Sequence, residues 1–181
     1  MNQNSLRSVS FHYDGVARAL HWGMALLILI VFAMGLLVDA FPKTWEHGIV
    51  ETHKVLGVAI LLLVVLRFGW RLSHRPPASE PINPLIDRGA GLAHWGLYGL
   101  MVAVPVVGLV YAVLRGQGID FGLFSLAPIM EPNRELGRTV RKVHELAAYA
   151  LIALAGIHAL AAIWHHLIRK DGTLRRMLPG L

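Results

Sequence analysis

Four apolar runs, each long enough to cross a bilayer as a helix, constrain this chain more than any other feature. Spanning a hydrocarbon core takes about 20 helical residues. The runs are "RALHWGMALLILIVFAMGLLV" from Arg18 to Val38, "THKVLGVAILLLVVLRFGW" from Thr52 to Trp70, "GLAHWGLYGLMVAVPVVGLVYAVL" from Gly91 to Leu114, and "VHELAAYALIALAGIHALAAIWHHLI" from Val143 to Ile168. With 55% hydrophobic residues, 15% charged ones and a mean hydropathy of +0.55, the chain is too apolar for a soluble domain. The expected fold is an all-α membrane protein, a four-transmembrane-helix bundle. Residues 1–17 form an N-terminal segment, 18–168 the bundle and 169–181 a tail. Pro105 is expected to bend the third helix. The first run starts after 17 residues, has full spanning length and lacks an obvious cleavage site, so it reads as a span rather than a signal peptide.

The net charge of +6 fits a membrane protein better than a nucleic-acid binder. Lys and Arg lie between the apolar runs, and no nucleic-acid motif accompanies them. On one side stand Arg7, Arg18, Arg67, Arg71, Arg75, Arg88, Arg169, Lys170, Arg175 and Arg176. Lys43, Lys54, Arg115, Arg134, Arg138, Arg141 and Lys142 stand on the other. This bias places both termini in the cytoplasm. The loop from Arg115 to Lys142 is the longest and is expected to hold a short surface helix. There is no cysteine, which removes disulfides, iron–sulfur clusters, thiolate zinc and covalent c-type haem.

The chain has ten histidines, several of them inside the apolar runs. Such residues in a membrane are costly and are functional by default, although a single one can serve as an interhelical hydrogen-bond partner. Spacing argues for more. His144 and His158 are fourteen residues apart, which returns to nearly the same helix face about 21 Å further along the axis. Both fit within a core about 30 Å thick, one near each surface. Two stacked haems, each ligated by one of these imidazoles, suit this arrangement; no thiolate or carboxylate cluster favours zinc. Alternating helix directions supply the opposite ligands. His53 starts the second helix and can meet His144; His21 starts the first and can meet His158. Gly35, Gly57 and Gly156 lie beside these positions and would clear space for flat macrocycles, although small residues also let helices pack closely.

Other residues compete for these roles. His94 lies at the depth of His21 and could replace it as ligand or line a quinone pocket. His165 shares the face of His158 near the headgroups, where proton or quinone chemistry and simple snorkelling both fit. His166 points elsewhere, and His12, His47 and His74 fall in loops as solvated side chains. Arg18, Arg67 and Arg71 anchor the membrane boundary or bind haem propionates with their guanidinium forks. Arg134, Arg138, Arg141 and Lys142 form a solvated basic face, or draw in an anionic substrate. The tryptophans sit mostly at the ends of the runs, as an aromatic belt would place them.

The segments "RALHW", "HKVLG", "RFGWR", "AHWGLY", "PVVG", "HELAAY", "HALAAIWHH" and "DGTLRRM" occur in this order on the four runs. Together they resemble the prokaryotic cytochrome b561 family of four-helix, di-haem inner-membrane proteins, from Arg18 to about Met177. The resemblance implies two non-covalent b-type haems on His21, His53, His144 and His158, and electron transfer between an extracytoplasmic donor and membrane ubiquinone. It suggests superoxide as the small redox substrate. It leaves a homodimer open. Two other readings stand beside this one: a cytochrome subunit serving a dehydrogenase or hydrogenase, which the short loops disfavour, and a histidine-lined transporter. The apolar stretch Leu151 to Leu154 at the midplane of the fourth helix argues against the transporter.

Overall fold

The computed structural model describes residues 12–74, 77 and 81–178. Four long helices carry the fold: α1 (Gly15–Leu37), α2 (Lys43–Ser73), α3 (Pro84–Leu114) and α4 (Arg134–Trp164). All four are long and apolar enough to cross a membrane. The starts of α1, α3 and α4 are set by capping side chains, which satisfy amide groups that a helix leaves open. Asp14 accepts from the Ala17 amide at 2.9 Å. Asn83 accepts from Leu85 and Ile86, both at 3.0 Å, and Pro84 follows it where a missing N–H is harmless. Asn133 accepts from Leu136 at 3.1 Å.

The helices overrun the apolar spans at their N-terminal ends. α2 begins at Lys43 and α3 at Pro84, because polar first turns continue the helix outside the lipid. His47 therefore lies within α2 rather than in a loop. The segment after α3 also differs from expectation. It forms no surface helix but a short hairpin, β1 (Ile119–Asp120) against β2 (Ser125–Leu126), antiparallel with Ile119 opposite Leu126. Gly122, at φ 81°, supplies the left-handed turn residue. The basic residues Arg134, Arg138, Arg141 and Lys142 stand on the opening turns of α4. Arg7 and Arg75, used in reading the orientation, lie outside the described residues.

α1 packs on α2, α2 on α3, and α3 on α4. Their shared core is Met24, Val31, Ile60, Val64, Met101 and Leu151, with Leu56, Tyr98 and Val104 against it. Leu26, Leu29, Leu62 and Val65 are exposed, as a lipid-facing surface requires. α1 meets α4 through an edge-to-face contact between Phe32 and Tyr149, ring centroids 5.7 Å apart.

The two ends of the bundle are fastened differently. At the end holding both termini, α4 closes in a π-helical turn (His165–Arg169), and Lys170 then turns left-handed at φ 56°. The tail folds back on α1: Trp22 donates to the Met177 carbonyl at 2.8 Å, and Arg18 to that of Leu178 at 3.1 Å. Trp70 of α2 donates to Asp14 at 3.1 Å. At the opposite end the hairpin is pinned to α2. Lys54, only 8% exposed, pairs with Glu51 at 2.6 Å and donates to the Gly118 carbonyl at 2.7 Å. Glu51 also accepts from the Asp120 amide at 3.2 Å.

Candidate functional site

Fourteen residues separate His144 from His158 on α4, and the same interval recurs on every helix. It joins His21 to Gly35 on α1, His53 to Arg67 on α2, and His94 to Gly108 on α3. Antiparallel neighbours sort these positions into two layers about 21 Å apart along a helix. The layer nearer the hairpin holds Gly35, His53, Gly108 and His144. The layer nearer the termini holds His21, Arg67, His94 and His158.

In the hairpin-end layer two imidazoles face each other. The rings of His53 and His144 have centroids 6.2 Å apart and planes at 76°. Each is fixed from behind by a main-chain carbonyl: Nδ1 of His53 lies 3.1 Å from the Val31 oxygen, and Nδ1 of His144 lies 3.0 Å from that of Val104. A carbonyl can only accept, so Nδ1 carries the proton and donates, leaving the Nε2 lone pair free. Glycines make room for the rings. A Cβ on Gly35 would come within 3.1 Å of His53 Cε1, and one on Gly108 within 2.9 Å of His144 Cε1. Gly35 thus seats an imidazole directly. Gly57 and Gly156 border open space, with nothing within 4 Å of an added Cβ.

The terminal-end layer repeats the opposition with different support. His21 and His158 have centroids 6.2 Å apart and planes at 60°. Arg67 Nη2 donates to His21 Nδ1 at 2.9 Å, and its Nε donates to the Tyr98 hydroxyl at 3.3 Å. A guanidinium can only donate, so in this arrangement Nδ1 accepts and the ring proton sits on Nε2, the reverse of His53 and His144. His94 stands 5.3 Å from His158, with planes at 74°. Arg71 is exposed one turn beyond Arg67. Arg18 places its buried Nε, unpartnered among the described residues, one turn before His21.

These distances test whether haem iron fits between the rings. An imidazole–metal bond is about 2 Å long and the nitrogen lies about 1.1 Å from the ring centre, so rings on opposite sides of one metal have centroids roughly 6 Å apart. Both 6.2 Å pairs meet this requirement, whereas the 5.3 Å between His94 and His158 falls short. The buried Nε of Arg18 is a donor without an acceptor, as a propionate site would present. The spacing therefore fits haem in both layers: directly at His53 and His144, and at His21 and His158 once Arg67 moves off His21 Nδ1 and the ring proton sits there, freeing Nε2.

Two of the remaining candidates lie toward the ends of the bundle. His165 is held by Asp171, Nδ1 to Oδ2 2.6 Å, in a cluster completed by Thr173 and Arg169. Burial disfavours the Asp171 carboxylate, but bonds from the Thr173 amide, His165, the Thr173 hydroxyl and Arg169 outweigh it and hold the pKa well below the ordinary 3.8. Lys142 is exposed beside Arg138 and Arg141, and Arg141 pairs with Glu145 at 2.7 Å.

Sequence reasoning singled out His165 but not its partner Asp171. It also missed Gly108, Tyr98 and the contact from Arg67 to His21. Gly108 could have been found, since it stands to His94 as Gly35 stands to His21. The other contacts join residues whose facing no spacing rule encodes.

Comparison with known proteins places the chain by its sequence. The prokaryotic cytochrome b561 family matches residues 12–180. A protein of Yersinia pestis named as a probable superoxide oxidase, CybB, is 32% identical over 169 residues, 92% of this chain and 96% of that protein. Cytochrome b561 homolog 2 of Escherichia coli K12 is 29% identical over 170 residues, 92% and 90% of the two chains. Cytochrome b562 of Cereibacter sphaeroides is 30% identical over 172 residues, 92% and 94%. With four spanning helices and half-buried imidazoles paired between them, the chain belongs to the prokaryotic cytochrome b561 family, the membrane-embedded b-type cytochromes of electron transfer.

Proposed function

We propose that this cytochrome holds two haems b, on His53 with His144 and on His21 with His158, and carries single electrons from superoxide outside the cytoplasmic membrane to ubiquinone within it. The observation that carries this reading is the pair of 6.2 Å imidazole oppositions at two depths of one helix. The name of the Yersinia pestis relative supports superoxide as the donor. The positive-inside bias puts both termini in the cytoplasm, so the hairpin end faces outward.

Haem b held by these histidines would supply reversible one-electron chemistry. The chain's own residues do the rest. Val31 and Val104 hold their histidines by the Nδ1 proton, fixing tautomer and ring direction and raising ligand basicity. Arg138, Arg141 and Lys142 give the hairpin end a positive field that attracts a small anion. At the other end, quinone reduction takes up protons as well as electrons. His165 is the group placed to deliver a proton there, steadied by the Asp171 carboxylate.

The test uses the purified chain alone, in detergent or lipid, with a superoxide source and a soluble ubiquinone analogue. Quinone reduction abolished by superoxide dismutase is the expected result. Absence of superoxide-dependent reduction by haem-loaded protein would reject this donor and favour the subunit reading.

A further inference from the structure

The two histidine layers differ in fixed charge. The hairpin-end layer has glycines at the two positions not occupied by histidine. The terminal-end layer has Arg67 at one of them, half-buried and touching His21. Among the described residues Arg67 makes no ion pair; its partners are the neutral His21 ring and the Tyr98 hydroxyl. A cation next to a centre that gains an electron stabilises the electron-rich form, and the effect grows as water is excluded. The hairpin end has cations too, but Arg138, Arg141 and Lys142 are exposed, and Arg141 is already paired. Solvent and salt screen them.

Hydrogen bonding acts in the same direction. His53 and His144 each donate their Nδ1 proton to a carbonyl, which enriches the imidazole in electrons and favours the oxidised metal. His21 has no carbonyl facing its Nδ1; the guanidinium of Arg67 stands there instead, so an Nδ1 proton on a ligating His21 would find no such acceptor and the ring would stay poorer in electrons. Charge and ligand basicity therefore separate the two pairs in the same sense.

We propose that Arg67 is the positioning residue that makes the His21–His158 pair the higher-potential one, so that electrons entering at the His53–His144 pair run toward the terminal end. This rests on the reading that each pair holds a haem, and it adds a direction to that reading.

The test is a spectroelectrochemical titration of the full chain, wild type beside H21A, H53A, R67Q and R67K, with haem per chain measured in each. The wild type is expected to show two potentials, and H21A to lose the higher one while H53A loses the lower. R67Q should lower the higher potential alone, with R67K restoring most of it by restoring the charge. Loss of the lower potential in H21A would overturn the proposal. So would R67Q protein with both haems and both potentials unmoved, or moved equally. Should R67Q shed a haem, the ordering given by H21A and H53A still decides. A wild-type chain without haem would instead reject the haem reading, a result separate from any ordering of potentials.

Discussion

The two histidine layers share a spacing and a ring-to-ring distance, yet they are built from different materials. Near the hairpin, two imidazoles lean on main-chain carbonyls and are seated by glycines. Near the termini, the equivalent pair is braced by side chains, with Arg67 against His21 and a third histidine beside His158. Carbonyls of a helix hardly move, so the first layer is rigid and uncharged. The second layer can shift a side chain and carries charge. One helix can thus present histidine twice and obtain two unlike environments.

The comparison breaks first if the layers are not independent. His144→Ala and His158→Ala should each remove a different haem, halving the absorbance of the reduced protein, with the remaining spectrum differing between them. Loss of both haems from either variant would show one coupled site. The next largest effect concerns what fastens each end. Lys54→Ala leaves Glu51 in place of a largely buried ion pair, which costs about 3–5 kcal/mol, seen as a lower melting temperature. Lys43→Ala breaks only an exposed pair and should leave melting unchanged.

Glycine substitutions sharpen the contrast within the hairpin-end layer. A Cβ at Gly108 presses on His144, so Gly108→Ala should destabilise by about 1–3 kcal/mol and weaken haem retention in that layer alone. Gly57→Ala enters open space and should be tolerated. Haem content and thermal unfolding read both. An effect no larger than that of Gly108→Ala is expected at the terminal end. Asp171→Asn removes the charge that His165, Arg169 and Thr173 bond, at about 1–3 kcal/mol. Because folding lowers the Asp171 pKa, its stabilisation is complete above the ordinary 3.8 and fades as pH falls below that value. Wild type and D171N should therefore converge in melting temperature under acid and differ most near neutrality.

Much of this was legible in the sequence because lipid simplifies the problem. A span must be helical and apolar, so four runs read as four helices, and a fourteen-residue interval reads as one face at two depths. Hydropathy marks only the part inside the lipid, which is why the polar starts of α2 and α3 ran beyond the apolar spans. The hairpin was hidden because two residue pairs give no period to detect; it stands on the contacts of Lys54 and Glu51. Depth was readable for Arg67 but its partner was not. That contact depends on how α1 and α2 rotate about their axes, which the packing of Met24, Val31, Ile60 and Val64 decides.

A pyridine haemochrome assay on the purified, haem-replete chain, with protein quantified in the same sample, tests the two-layer account most directly. It predicts two haems b per chain. One haem would leave one imidazole pair without its metal, and a colourless chain would contradict the account at both layers.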